Sequence, residues 1–105
     1  MIPLAKEKEI QSAIMEYLAL AGHFVWRNNS GGFTDQKGHY YRYGLTGSSD
    51  IIGAHGRTGQ FIAIEVKRPN GKVTEAQNRF LETIKRCGGI GIVARSVSDV
   101  IEAGL

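Results

Sequence analysis

The stretch FIAIEVKR, residues 61–68, determines the fold more than any other part of the chain. Side chains alternate between the two faces of a strand, so its aliphatic residues share one face while Glu65 and Lys67 share the other. An apolar, β-prone run of this kind predicts a buried strand. Burying a carboxylate and an ammonium carries a desolvation cost. An exposed charge pair is the simpler interpretation, but such pairs contribute less than about 1 kcal/mol.

The segments around this strand predict a mixed sheet flanked by helices, an α/β fold. Residues 50–54 predict a strand that a tight turn pairs antiparallel with residues 61–67. Thr74 followed by Gln77 predicts a capping box at the start of a helix. The β-branched run 90–94 then predicts a strand parallel to the central one, with that helix as the crossover.

The remaining elements are less sharply marked. We expect a helix over 6–21, a short strand over 24–26, an exposed mobile loop over 28–38, a strand over 39–43 as one arm of a hairpin, and a last helix capped by Ser98. The whole chain, 1–105, is expected to be a single domain.

Composition indicates an anionic partner and an intracellular setting. The net charge is +3 and the pI is about 9.2. The single Cys87, which we expect to pack in its helix, excludes an intramolecular disulfide and fits a reducing cytoplasm of bacterial or phage type. The sequence contains no apolar run of about 18 residues for a membrane span and no secretory signal pattern.

Two carboxylates are predicted to meet at one edge of the sheet. Asp50 begins one strand of the predicted antiparallel pair, and Glu65 lies near the far end of the other. Paired carboxylates make a hard-oxygen site that suits Mg²⁺ or Mn²⁺. Lys67, on the face of Glu65, could orient or deprotonate a water that attacks a phosphodiester.

Glu7 is a fourth candidate. At about 100° per residue it falls within the apolar stripe of the first helix. We therefore expect an inward-facing ligand for a second metal ion or a water. The alternative is that Glu7 only complements the N-terminal dipole of its helix.

The ordered set of these residues resembles the PD-(D/E)XK nucleases and, more narrowly, the VRR-NUC family. It consists of a helical Glu7, G-x-x-D from Gly47 to Asp50, E-V-K from Glu65 to Lys67, and a helical Gln77. The resemblance extends to about Asp99 and includes RNNSG at 27–31 and GGIGIVARS at 88–96. Ser49 stands where the superfamily pattern has proline.

The resemblance implies a restriction-endonuclease-like core, a divalent metal and hydrolysis of DNA. It implies that Asp50 and Glu65 bind the metal, with the Val66 carbonyl helping, and that Lys67 is catalytic. Stand-alone members of the family are similar to homodimeric nucleases of four-way Holliday junctions, so the resemblance also implies branched DNA and a homodimer. Rival interpretations are a non-catalytic DNA-binding module and a nuclease of flaps or linear duplex.

Further residues could contact DNA or water, each beside a plainer interpretation. The basic candidates, which could also be scattered solvated charges, are Arg27, Arg42, Arg68, Lys72 and Arg79. Ser49 could bond a phosphate or only stabilise its turn, and Gln77 could contact the attacking water or only cap its helix. Trp26 and the tyrosines at 40, 41 and 43 could stack on bases, although core or dimer contacts are favoured.

Overall fold

The structure, a computed structural model, describes residues 5–105. In chain order its elements are α1 (Glu7–Leu20), β1 (Phe24–Arg27), β2 (Gly31–Thr34), β3 (Tyr40–Tyr43), β4 (Ile51–Ala54), β5 (Phe61–Val66), α2 (Glu75–Arg86), β6 (Ile90–Ala94) and α3 (Val97–Glu102). Four strands form a sheet in the order β1-β4-β5-β6, and β2 and β3 form a second, two-stranded sheet. The predicted mixed α/β architecture is confirmed.

Pairing around β5 follows the sequence prediction. Ile64 faces Ile51 of the antiparallel β4 and Ile92 of the parallel β6. A tight turn is enough for the first connection, whereas the parallel pairing needs a crossover, which α2 provides. The predicted antiparallel pair and crossover are therefore both confirmed.

β5 is buried on both faces. Ile62, Ile64 and Val66 join the hydrophobic core with residues of α1, among them Ile14 and Leu18, all fully buried. Strand alternation turns Ala63 and Glu65 to the other side of the sheet, where α2 packs. Close packing on that side depends on Gly91, because a Cβ there would lie 2.8 Å from the Leu81 carbonyl oxygen.

The helix starts agree with the sequence in one case and differ in another. The capping box of α2 is confirmed, since Gln77 N donates to Thr74 Oγ1 at 3.1 Å and Thr74 N donates to Gln77 Oε1 at 2.9 Å. The cap predicted at Ser98 is wrong. Ser96 caps α3 by accepting from Asp99 N at 3.2 Å, because the chain turns soon after β6.

Two expectations about exposure and local structure are wrong. Cys87 is exposed at the C-terminal cap of α2 rather than packed. The stretch expected to be a loop over 28–38 contains a strand, β2, which pairs antiparallel with β3. The predicted strand at 39–43 is confirmed as the second arm of this hairpin. None of the helices described within residues 5–105 is long and apolar enough to cross a membrane.

Candidate active site

Asp50 and Glu65 meet at one end of the two central strands, where β4 begins and β5 ends. We call this end of the strands the edge of the sheet. Ile51 pairs with Ile64, so the next position along the same register sets Asp50 opposite Glu65. Asp50 Oδ2 accepts a hydrogen bond of 2.8 Å from the Val66 backbone N–H. The structure thus brings together the two carboxylates that the sequence placed at a common edge.

Glu65 is almost completely buried, and its charge is poorly compensated. Its side chain is 2% exposed, and Oε1 has no hydrogen-bond partner among residues 5–105. Oε2 lies 3.9 Å from Nζ of Lys67, itself largely buried. Burial, followed by the neighbouring Asp50 carboxyl, raises the pKa of Glu65 to about 8, although Lys67 opposes the shift. Lys67 therefore compensates the charge of the Glu65 carboxylate only in part.

These groups fit a divalent cation. An ion between the two carboxylates would satisfy Oε1 of Glu65 and relieve its repulsion from Asp50. The N–H and C=O of a strand residue point to the same side, so the Val66 carbonyl also faces the Asp50 side of β5. The described residues hold no group of three or more His, Cys, Asp or Glu side chains able to bind a metal. Mg²⁺ commonly takes only one or two carboxylates and keeps waters or phosphate oxygens in the remaining positions.

Helical periodicity predicted that Glu7 faces inward, and this prediction is wrong. It is exposed at the start of α1, one turn before the buried Ile10. Its negative charge is the smallest of the contributions that raise the pKa of Glu65, and no hydrogen bond or ion pair within residues 5–105 connects it with Asp50 or Glu65. A role as ligand for a second metal or a water stays a prediction.

The turn before Asp50 is held by a residue that sequence reasoning gave no role. Asn28 Nδ2 donates to Ser48 Oγ at 2.7 Å and to the Ser49 carbonyl at 3.0 Å. Its backbone N–H donates to the Asp50 carbonyl at 2.8 Å. The RNNSG stretch was the available signal, but a positioning role needed the long-range pairing of β1 with β4.

Ser49 itself is fully buried, and its Oγ has no hydrogen-bond partner among the residues described. A direct contact with a DNA phosphate needs an accessible hydroxyl, so the prediction of a phosphate contact at Ser49 does not fit the structure. Gln77 uses its side-chain carbonyl in the cap of α2. The first turn of that helix packs against Gly47, where a Cβ would lie 2.8 Å from the Ala76 carbonyl oxygen. Contact of Gln77 with the attacking water stays a prediction.

The five basic candidates are all exposed and differ in their partners. Arg27, at the end of β1, donates to Ser12 Oγ at 3.0 Å, and Arg79 pairs with Glu75 at 3.0 Å. The others are Arg42 on β3, and Arg68 and Lys72 just beyond Lys67.

Arg95 was not predicted to matter, yet it braces the turn after Lys67. Its guanidinium donates to the backbone carbonyls of Arg68 and Gly71 at 2.6 and 2.8 Å. Nothing short-range in the sequence connects it with that turn. We expect its structural task to leave it unable to contact DNA phosphates freely.

The mixed sheet, with α2 as its crossover and with acidic residues at the edge where β4 begins and β5 ends, has the architecture of the restriction-endonuclease-like PD-(D/E)XK core. The family model of the VRR-NUC domain matches residues 5–98. The chain therefore belongs to the VRR-NUC family, and this membership indicates a nuclease whose substrate is DNA.

A solved structure described as a VRR_NUC domain protein is similar in fold. The TM-score is 0.63 at 21% sequence identity, and the match covers 95% of this chain and 85% of the other. A search of curated proteins found no match. At this level of identity the structural likeness supports the fold.

Proposed function

We propose that the protein is a divalent-metal-dependent DNA endonuclease that hydrolyses phosphodiester bonds where Asp50 and Glu65 meet. The observation that carries the proposal is the buried Glu65. Its Oε1 has no hydrogen-bond partner within residues 5–105, and a second carboxylate, Asp50, and the ammonium of Lys67 lie next to it. A strand kept only for packing would avoid the desolvation cost of such a residue. Binding a metal and a phosphate offers compensation for that cost.

The residues of this edge divide the work. Asp50, Glu65 and the Val66 carbonyl would hold Mg²⁺ or Mn²⁺, which when bound supplies positive charge for the scissile phosphate. The hydrogen bond from Val66 N–H fixes the Asp50 carboxylate. Lys67 orients the attacking water and stabilises negative charge that develops on the phosphate. Glu7 positions a second ion or a water near the leaving group.

For the substrate we propose branched DNA, with a four-way Holliday junction as the leading case, cut by a homodimer. The support is membership of the VRR-NUC family together with a symmetry argument. A twofold-symmetric dimer presents two equal sites to two strands of opposite polarity, which paired cuts in a junction require. The exposed basic residues around the edge would bind the phosphates on either side of the cut.

The test is a cleavage assay on a labelled four-way junction and on linear duplex of the same sequence, each in Mg²⁺, Mn²⁺ and EDTA. Glu65→Ala and Lys67→Ala should each lower the cleavage rate at least about 100-fold, because each removes charge stabilisation from the site. Glu82→Ala is the matched control. It removes an exposed glutamate that pairs with Lys85, from the C-terminal half of α2, the half farther from Gly47 and the site.

The outcomes separate the rival functions. Paired, metal-dependent cuts in the junction alone would support a junction resolvase, whereas cuts in both substrates would keep the endonuclease and remove the junction preference. Wild-type cleavage by Glu65→Ala would contradict the site. No cleavage in any metal, together with Mn²⁺ binding that Glu65→Ala does not change, would leave the non-catalytic DNA-binding module.

A further inference from the structure

The β2–β3 hairpin carries aromatic side chains that the protein does not bury. Within residues 5–105 the two strands pair only with each other, and every residue of both is exposed. Phe33 faces Tyr41 across the hairpin, with ring centroids 5.2 Å apart and ring planes 23° from parallel. Alternation along β3 places Tyr43 on the same face as Tyr41. We call Phe33, Tyr41 and Tyr43 the aromatic platform.

A glycine keeps this platform flat. Gly31 pairs with Tyr43, and a Cβ at Gly31 would lie 3.0 Å from the tyrosine Oη and 3.2 Å from the ring carbon that bears it. The Tyr43 ring therefore lies along the neighbouring strand instead of standing away from it. The platform side chains are about half exposed, at 56%, 48% and 50% for residues 33, 41 and 43. The result is a flat aromatic surface open to solvent.

The charge of the hairpin favours an anionic occupant. Asp35 is the single acidic residue between 31 and 43, and its Oδ1 accepts hydrogen bonds from Lys37 N at 2.9 Å and His39 N at 2.8 Å. The hydrogen bond from His39 N–H is the main reason why the pKa of Asp35 is lowered. Two exposed cations remain on the hairpin: Lys37 in its turn, and Arg42 on β3, on the opposite face from Tyr41 and Tyr43.

The base of the hairpin is attached to the candidate active site. The chain leaves the main sheet at Asn28, whose backbone N–H donates to the Asp50 carbonyl. Gly31 follows Asn28 by three positions, or about 10 Å of extended chain. On the return, Gly44 packs so closely on Asn29 that a Cβ would lie 2.6 Å from its carbonyl oxygen. The aromatic platform therefore adjoins the edge that carries Asp50.

We propose that the aromatic platform stacks on unpaired bases of the DNA strand beside the phosphate that is cut. The inference rests on the proposed function and specifies which branched DNA is bound best, namely DNA that exposes unpaired bases next to the cleavage point, such as a flap or an opened junction centre. Stacking on flat aromatic rings does not depend on base identity, and neighbouring cations bind the backbone. A hairpin without excess positive charge would suit a second copy of the chain equally well, so the choice of DNA follows from the two cations against one acid in residues 31–43 and from continuity with the candidate active site.

The test measures binding in EDTA, where no cleavage is expected. One DNA is a linear duplex, and the other is the same duplex with three unpaired nucleotides, the middle one 2-aminopurine. The fluorescence of 2-aminopurine falls when it stacks. Wild-type protein should bind the gapped DNA more tightly and quench its probe. The double substitution Tyr41→Ala and Tyr43→Ala should abolish the quenching and weaken binding of gapped DNA about 5- to 100-fold, with little change for the duplex.

The matched control is the double substitution Tyr41→Phe and Tyr43→Phe, which keeps both rings and should bind and quench as the wild type does. Phe33→Ala is a second, milder variant with an expected partial loss. Circular dichroism and thermal melting of each variant show that the main sheet is folded. If Phe33→Ala and the alanine pair both bind gapped DNA like the wild type, the proposal is overturned.

Two other results would also overturn it. An equal loss of binding on duplex and gapped DNA would mean a general contact. A change from dimer to monomer by light scattering in the alanine pair, without loss of quenching per site, would make the platform a contact between copies. The proposed function is tested separately. If the wild type cleaves DNA with metal but the hairpin variants bind gapped DNA as the wild type does, only the stacking proposal is wrong. If the probe is quenched but no metal supports cleavage, only the nuclease proposal is wrong.

Discussion

The two sheets of this molecule differ in how much of their side-chain surface they bury. In the four-stranded sheet, β5 is buried from Ile62 to Val66 and includes a buried glutamate. In the two-stranded sheet, β2 and β3 bury none of their residues although four of the eight are aromatic. A lone two-stranded hairpin is at best marginally stable in water. The residues of the main sheet stabilise the fold. The exposed aromatic residues of the hairpin do not, and we interpret their exposure as a sign of a binding partner.

Glu65 and Tyr43 both occupy positions that are unusual for their residue types. A carboxyl group inside the core and a cluster of exposed aromatic rings, to which Tyr43 belongs, each depart from the ordinary partition of side chains. Folding stability explains neither placement. Both are explained if a metal-bound, nucleic acid-bound state is the one in which each residue is satisfied.

The largest expected effect on stability comes from truncating the core of the main sheet. Ile64→Ala should lower the free energy of unfolding by about 2–5 kcal/mol, since Ile64 is fully buried and a cavity would remain. Urea denaturation followed by circular dichroism measures it. Ile64→Val is the matched control, with an expected loss of about 0.5–1.5 kcal/mol. Equal stability of Ile64→Ala and wild type would break the contrast between the two sheets.

The second effect is a pH dependence that the buried carboxyl imposes on the metal-free protein. Because the pKa of Glu65 is raised from 4.5 to about 8, the folded state favours its protonated form. The contribution to stability is complete below about pH 4.5 and is lost as the pH rises to about 8. In EDTA, the melting temperature of the wild type relative to that of Glu65→Gln should therefore decrease as the pH rises from about 4.5 to about 8.

The control for that measurement is added Mg²⁺, which should flatten the difference because a bound cation favours the charged carboxylate. Glu65→Gln keeps the size of the side chain, so other titrating groups contribute equally to both proteins. Parallel melting curves of wild type and Glu65→Gln across the whole range would contradict the burial of an uncompensated carboxyl.

A smaller effect is expected at the start of α2. Thr74→Ala should lower the free energy of unfolding by about 1 kcal/mol, because it removes the acceptor for the Gln77 backbone N–H. Thr74→Ser, which retains the hydroxyl, should restore most of the loss in the same denaturation experiment. If Thr74→Ala left the free energy of unfolding unchanged, water would replace the cap at no cost in stability.

The smallest effect belongs to the hairpin. Phe33→Ala should lower the free energy of unfolding by less than about 1 kcal/mol, the range of a cross-strand aromatic pair. The same substitution in the main core would cost several times as much. A loss above about 2 kcal/mol would show that the aromatic platform supports the fold, and the comparison of the two sheets would have to be abandoned.

Sequence patterns predicted the main sheet well because its signals are local. Alternation in β5, the Thr74–Gln77 spacing and the β-branched run of β6 each report on their own element, and they placed Asp50 opposite Glu65. The hairpin was half missed for a physical reason. Gly31 and Gly32 look like turn residues, whereas in the structure they make room for tyrosine rings from the facing strand.

The site was predicted less completely where it depends on distant pairing. Asn28 holds the turn before Asp50 only because β1 lies beside β4. Helical periodicity placed Glu7 in the apolar stripe, but the first turn of α1 extends past the core and leaves it exposed. Ser49 was a candidate for contacting phosphate because burial cannot be read from a serine in a turn.

The hydrogen bond between Asn28 and Asp50 has a consequence for how such proteins diversify. It closes the chain at the base of the hairpin, so β2, β3 and their turn form a segment whose two ends stay fixed. The entropic cost of a longer insertion grows only slowly with its length. Related chains can therefore lengthen, shorten or replace the hairpin without moving Asp50, and if the hairpin binds DNA as proposed, such changes would alter which DNA is preferred.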